Sequence, residues 1–452
     1  MTIAISPSIS FASPSNLNGP MSTLGKVSTR QTIHSATVNP ASGEYVVGKS
    51  WRWSYFSNIG LGYNIGEINK LENQIDVLSL ELDRLENKVA TINEVVTFTE
   101  VKDVQNQFNE FLLNIGQQEI LYMNVQSQIP FFPFAVRNKK LKGVLTFNAK
   151  LGAEAGAYFV DSPLEIVPPN PFVGEMDFKL QTDTVLDLSS ALIETYSIAY
   201  SHDLKRSLLK KNNFSHLFNR NDRLMVGMQL NYYRATLSTQ LVAIDQEYDN
   251  EELSDMIDSE YDHNQVKSAA PGLDIGVLWI SEDYKLGATW KNVNEPRFKS
   301  TNLAANCLNA SNSKIIHNCE LGERLEATGQ IDLSPEYVME NQISVEAGIN
   351  SFDKQWVFSL GYDVNQIADL SKNPYQWMSI SASYYSDNFW IPRARVGFRS
   401  NLVGSELDFA NIGFTFLGGT HIDFSMSLDS TNVDNEKIPK AASLNIGFEK
   451  RF

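Results

Sequence analysis

The sequence predicts an all-β transmembrane barrel of about 14 antiparallel strands, with an N-terminal plug inside the lumen and one α-helical hairpin insert. Three observations predict it. Many segments of about ten residues or more alternate apolar and polar side chains with period two, and a tilted strand needs that length to cross a bilayer. Aromatics make up 11 % of the 452 residues, with 17 Tyr and 7 Trp. They crowd segment ends, as at Trp51, Trp53, Trp279, Trp356, Trp377, and Phe389 with Trp390, where interfacial girdles belong. The alternate faces are rich in Gly, Ser, Asn and charge, which suits a wet lumen better than a sandwich core. Mean hydropathy is -0.23 and no run of 18 apolar residues exists, so a spanning helix is not expected.

Residues 1–12 read as the distal part of a signal peptide: Ser10-Phe11-Ala12 places small residues at a cleavage-like spacing. Residues 13–50 are polar, rich in small side chains and aperiodic, as expected of a plug or hatch. The barrel is expected over 51–452. Its first strand alternates Ile59, Leu61, Tyr63 and Ile65 with Asn58, Gly60, Gly62 and Asn64. Ile68, Leu71, Ile75, Leu78, Leu82, Leu85, Val89 and Ile92 then follow a 3-4 spacing. Val101, Val104, Phe108, Phe111 and Ile115 repeat it. These are seams of a helical hairpin at 67–117, and Ile68–Ile115 is a candidate docking surface for a protein partner.

Further strands are expected at 119–132, 143–159, 189–202, 222–239, 270–281, 284–292, 342–350, 355–364, 375–385, 391–400, 407–417, 420–430 and 441–452. Turns at 280–284, 351–355, 386–389 and 417–420 are short. Connections at 160–188, 240–269, 293–341, 365–374 and 431–440 are long. Bacterial barrels have this asymmetry, with short periplasmic turns and long outer loops.

The net charge of -16 and pI near 4.9 argue against a nucleic-acid partner, which needs a basic surface. The six histidines are scattered and form no metalloprotease or triad spacing, so no catalytic site, metal or cofactor is expected. His421, at a strand start, reads as interfacial. The acidic stretch 244–263 reads as a solvated loop. Cys307 and Cys319 lie in a polar stretch without C-x-x-C spacing, and a loop disulfide is expected. Arg393, Arg395 and Arg399 share one strand's polar face. They are expected either to pair with lumen acids such as Asp423, Asp429 and Glu449, or to select an anionic head group.

Asn39-Pro40-Ala41, just before the first strand, resembles the NPA motif in the hatch of FadL-like outer-membrane channels. A closer resemblance is to the barrel family called conjugal transfer protein TraF. It rests on NLNGPMSTLG (16–25), HSATVNPA (34–41), the helical insert, LDIGVLWISEDYKLGATWKNVNEPRF (273–298) and NIGFEKRF (445–452). Phe448 and the terminal Phe452 fall in phase and resemble the signal that barrel-insertion machinery recognises. The resemblance implies a Gram-negative outer-membrane protein in contact with lipid and lipopolysaccharide. It implies passive uptake of small hydrophobic molecules by plug rearrangement and lateral release. The alternative is a structural or surface role in conjugal transfer or envelope assembly, docking through the hairpin.

Overall fold

The computed structural model describes residues 19–30, 32–47, 53–65, parts of 102–110, 119–138, 140–163, 165–167, 179–204, 222–243, 250–308, 312–333, 336–351, 353, 355–369, 374–385, 392–416, 419–433 and 436–452. Fifteen hydrogen-bonded segments close one antiparallel sheet. Two of them, Glu119–Gln128 and Phe134–Asn138, pair with the same two neighbours and are halves of one interrupted strand, β2. The barrel therefore has 14 strands. The others are β1 (Trp53–Ile65), β3 (Gly143–Val160), β4 (Val185–Asp203), β5 (Arg223–Ala243), β6 (Val266–Ile280), β7 (Tyr284–Lys291) and β8 (Gln342–Asn350). They continue with β9 (Trp356–Asp363), β10 (Trp377–Tyr384), β11 (Arg393–Asn401), β12 (Asp408–Phe416), β13 (Thr420–Ser427) and β14 (Ala441–Arg451). Every strand pairs with its sequence neighbours, and β14 closes on β1 from Ser54↔Arg451 to Asn64↔Ala441.

The register makes the outer face a continuous apolar band. Ile59 lies opposite Ile446, Ile446 opposite Ile422, and Ile422 opposite Phe414. One layer on, Leu444, Phe424, Ile412, Val396, Ala382 and Phe358 follow one another across five strand pairs. Such a band is stable in hydrocarbon and costly in water. Aromatic clusters bound it at the short-turn end. Trp53 stacks on Phe452 with ring centroids 3.9 Å apart, and Trp356 meets Tyr384 at 5.1 Å. At the loop end Tyr196 pairs with Tyr232, and the exposed Glu194–Arg234 ion pair (3.1 Å) lies beyond them. No helix among the described residues is long and apolar enough to cross a membrane.

Strands β3, β4 and β5 have 18, 19 and 21 residues, well beyond the span a bilayer requires. Their surplus supports a loop-side layer. The stretch read as an acidic loop is largely a helix over Asn250–Asn264, bonded to β5 where Gln240 Nε2 donates to the Ile257 carbonyl at 3.1 Å. The cysteine-bearing stretch also folds as helices, Leu303–Cys307 and Ser313–Ala327. Leu321, Leu325, Ile331 and Leu333 from this region bury Val185 and Leu241 of the strand extensions. Tertiary burial decides here, because the apolar faces become legible only once the strands beneath them exist.

Cys307 and Cys319 are joined in a disulfide with Cα atoms 5.7 Å apart. Replacing both with serine is expected to weaken the two helices locally by about 2–4 kcal/mol. Amide exchange should quicken over 303–327 and stay unchanged in β10–β14; unchanged exchange over 303–327 would show that packing alone holds the layer.

The strand expected at 119–132 is broken at 129–133. Pro130 and Pro133 remove two ladder donors there, and Phe131 has φ 72° and is exposed. Trp377, expected in a girdle, instead faces inward and is buried, because it is in phase with Ser379 and Ser381. Trp51, Phe389 and Trp390 lie outside the described residues. So does most of the helical hairpin at 67–117, of which residues 102–103, 105–107 and 109–110 are described as helical. Residues 1–18 and 48–50 are also outside them.

Candidate functional site

The lumen is occupied by the segment 19–47, built from α1 (Pro20–Leu24), α2 (Ser35–Val38), a 3-10 turn at Pro40–Ser42 and α3 (Gly43–Val47). Its apolar side chains Met21, Leu24, Val27, Ile33, Ala41, Val46 and Val47 are buried against one another and the wall. Its polar groups reach most of the circumference. Gly19 N–H donates to Asn445 Oδ1 of β14 (3.0 Å), and Thr23 Oγ1 donates to Asp423 Oδ1 of β13 (2.7 Å). Lys26 Nζ bonds Asp363 of β9 (2.8 Å) and Gln342 of β8 (2.7 Å). Ile33 N–H donates to Glu449 of β14 (3.0 Å), and Glu44 accepts from Arg137 of β2 (3.0 Å). A carboxylate that accepts several bonds at once is a strong local anchor in this low-dielectric interior.

Glu346 of β8 is the densest of these anchors. It accepts from the Ser28 N–H, from Ser28 Oγ at 2.5 Å and from Asn39 Nδ2 at 3.1 Å, with Lys285 Nζ 4.0 Å away. Asn39 also donates to the Val277 carbonyl (3.3 Å), and its Oδ1 accepts the Ala41 N–H (3.0 Å), capping the turn. The turn sits in a saddle of two wall glycines. Gly227 of β5 and Gly276 of β6 are direct ladder partners. A Cβ on Gly227 would lie 2.2 Å from the Pro40 carbonyl carbon, and one on Gly276 would lie 2.1 Å from Asn39 Oδ1. The wall thus carries a cast of Asn39-Pro40-Ala41.

His34 stacks on Phe56 (5.1 Å), and Phe56 stacks on His421 (4.9 Å). Burial first, then the charges of Lys150, His421 and Lys291, lower the His34 pKa from 6.5 to about 3, so it is neutral. Burial likewise raises the Tyr45 hydroxyl to about 12, with Arg30 lying over its ring at 4.7 Å. His421, expected at an interface, faces the lumen beneath Gly19 and meets Asn58 Oδ1 at 3.1 Å. An inward position is the physical reason: it shares parity with Asp423 and Ser425 on β13.

The three arginines of β11 separate. Arg395 is buried and bonds Asp423 through Nε (3.2 Å) and Nη2 (3.0 Å), and Thr415 through Nη1 (2.6 Å). Arg399, 4 % exposed, lies 4.2 Å over the Trp377 ring and 5.0 Å over Phe409. Its Nε and Nη1 have no hydrogen-bond partner among the described residues. Arg393 is half-buried near the turn end. Glu449 pairs with Arg451 (2.7 Å) rather than with these arginines. Phe448 and Phe452 belong to the turn-end aromatic cluster around Tyr55.

Two cavities in the barrel are lined by described residues, and one of them abuts the segment. One, partly open to solvent, is lined near the loop end by Tyr122, Tyr375, Trp377, Leu407, Phe409 and Ala441, with Asn64, Asn124 and Asp369 also at its wall. The other, also partly open, lies beside α2 and is polar, with Lys26, His34, Gln128, Lys150, Asp274 and Lys291 in its lining. Gln128 is the last residue before the break in β2, so this chamber adjoins the interruption in the wall. Glu346, the glycine saddle and the chamber lysines escaped the sequence reading. Their signal was present: each falls on the inward parity of its strand.

The family described as "F plasmid transfer operon, TraF, protein" matches residues 36–363. No curated protein matches the chain. Among solved structures, the Ralstonia pickettii toluene transporter TbuX aligns at 12 % identity and TM-score 0.43, over 97 % of this chain and 98 % of that one. A Pseudomonas aeruginosa FadL homologue aligns at 10 % identity and TM-score 0.40, over 97 % and 98 %. The CymD monoaromatic hydrocarbon channel aligns at 10 % identity and TM-score 0.39, over the same shares.

Proposed function

The chain belongs to the family described as F plasmid transfer operon, TraF, protein, and from that premise we propose that this outer-membrane barrel is a plugged channel for small hydrophobic molecules. The observation that carries the reading is the aromatic cavity at the loop end, where an apolar guest would exchange water for Trp377, Phe409, Leu407 and Tyr375. Arg399 lies over the Trp377 ring that lines it, just behind the wall. Residues 19–47 act as the plug. Uptake proceeds by capture in the cavity, a shift of the plug about Asn39-Pro40-Ala41, and lateral release through the break at 129–133. That break is closed by a light latch, the Phe131 N–H donating to Ser57 Oγ at 3.0 Å.

Filling the cavity tests this reading. Ala441→Phe is expected to lower uptake of a small labelled hydrocarbon by about tenfold, the loss of roughly 1.4 kcal/mol of capture. Its heat-modifiable gel mobility should match the wild type. Unchanged uptake in the filled variant would remove the cavity from the route.

A second reading is docking in conjugal transfer or envelope assembly. It is supported by the family description and by the helical layer that β3–β5 raise above the bilayer. Deleting 67–117 separates the two. Loss of hydrocarbon uptake with intact insertion supports the channel; loss of DNA transfer or of a co-purifying partner supports docking.

A further inference from the structure

We infer that the polar chamber beside α2 binds a small polyvalent oxyanion. Lys150 of β3 and Lys291 of β7 both point into it from inward positions. Among the described residues neither has an ion-pair partner. The remaining charges are already engaged. Lys26 is held by Asp363 and Gln342. Asp274, the carboxylate in the lining, accepts from Gln229 Nε2 (3.1 Å), Asn231 Nδ2 (2.9 Å) and the Asn292 N–H (2.8 Å). Glu154 lies two inward positions beyond Lys150 on β3, outside the lining.

Three further polar side chains in the lining lack partners. Gln128, 2 % exposed, has both Nε2 and Oε1 unbonded, and Asn148 Oδ1 and Ser197 Oγ are likewise unbonded among the described residues. Gln128 stands directly opposite Lys150 in the β2–β3 ladder, and Asn148 stands opposite Ser197 in the β3–β4 ladder. Gln128, Lys150, Asn148 and Ser197 therefore form one patch across three neighbouring strands, and Lys291 of β7 lines the same chamber.

Both lysines are half-buried, and two ammonium groups that face one cavity without an ion pair repel. Water can satisfy the amides and the hydroxyl but cannot neutralise the charges. A compact anion neutralises them and accepts from Gln128 Nε2 and Ser197 Oγ, while water serves the two amide oxygens. Two ammonium groups favour more than one negative charge, and the amide and hydroxyl donors suit several oxygens. The lining has only Val38, Ile367 and the two tyrosine rings to offer an apolar chain, so a long-chain carboxylate is a poor fit here. The chain as a whole carries -16, which makes this cationic chamber a local departure rather than a sample of the surface. The inference goes beyond hydrocarbon uptake and stands whether or not the aromatic cavity conducts.

The test titrates inorganic phosphate into the full chain in detergent at fixed ionic strength, with heat as the readout. Saturable binding is expected, weakened about tenfold or more in Lys150→Met and in Lys291→Met, as loss of a charged hydrogen bond implies. Arg297→Met, on the loop layer, should bind as the wild type does. Gln128→Leu leaves all charges in place and should weaken binding about threefold or more, which decides the matter if a lysine variant fails to insert. Absence of saturable heat, equal affinity in all four variants, or chloride binding as tightly as phosphate would overturn the proposal. So would binding of a long-chain monocarboxylate without binding of phosphate.

Discussion

Gly227→Val is expected to drive the plug off the wall and open the lumen. The methyl groups would enter the space of the Pro40–Ala41 peptide, which a bare Cβ already meets at 2.2 and 2.3 Å. These obstacles are backbone atoms, so no rotamer relieves the overlap. Its cost should exceed the about 1–3 kcal/mol of ordinary overpacking. The barrel itself does not bear that cost, because its ladder bonds do not involve the substituted side chain. The plug bears it, through the bonds of Asn39 to Glu346, Val277 and Ala41. Planar-bilayer recordings should show stable conducting steps where the wild type is nearly silent, and added protease should cut within 19–47. Gly227→Ala should give a smaller effect in the same direction. If the valine variant stays silent and its plug stays protected, the glycine saddle does not hold the plug.

The barrel was legible because its physics is local. A strand between lipid and lumen must alternate, so each span shows in its own residues, and β8 at 342–350 matches its expected bounds to the residue. Parity is also legible in the sequence: counting in twos from Ser379 or Asp423 turns Trp377 and His421 inward. Pro130 and Pro133 announced the break in β2. The lumen chemistry was less legible, because its partners are remote in sequence. Thr23 meets Asp423 across 400 positions, and Asn39 meets Glu346 across 307. Nothing local in β8 marks Glu346 as an anchor for Ser28. The loop helices stayed hidden for a related reason: they fold onto strand extensions whose length past the bilayer the alternation does not reveal.

Breaking the Arg395–Asp423 pair is expected to cost the barrel about 3–5 kcal/mol, the usual penalty for stranding a buried charge. Arg395 is 1 % exposed and Asp423 0 %. Three strands build the site. Gly413 of β12 lies opposite both Arg395 of β11 and Asp423 of β13, and a Cβ there would fall 2.0 Å from Asp423 Oδ1. The glycine lets the two side chains meet across the intervening strand. Asp423→Asn removes the charge while keeping the shape, and leaves the guanidinium with Thr415 and the Phe414 carbonyl as its remaining partners. It also weakens the Thr23 bond that ties α1 to the wall. The temperature of the heat-modifiability transition should fall sharply. Arg395→Met alone should do the same by stranding the carboxylate. The double variant Arg395→Met with Asp423→Leu should recover much of the loss, because two well-packed apolar side chains replace an expensive ion pair. Additive losses in the double variant would refute the coupling and assign each residue an independent role. The same series separates stability from gating. Loss of the Thr23 tether should expose 19–30 to protease in Asp423→Asn and in the double variant alike, even where the double variant regains its transition temperature.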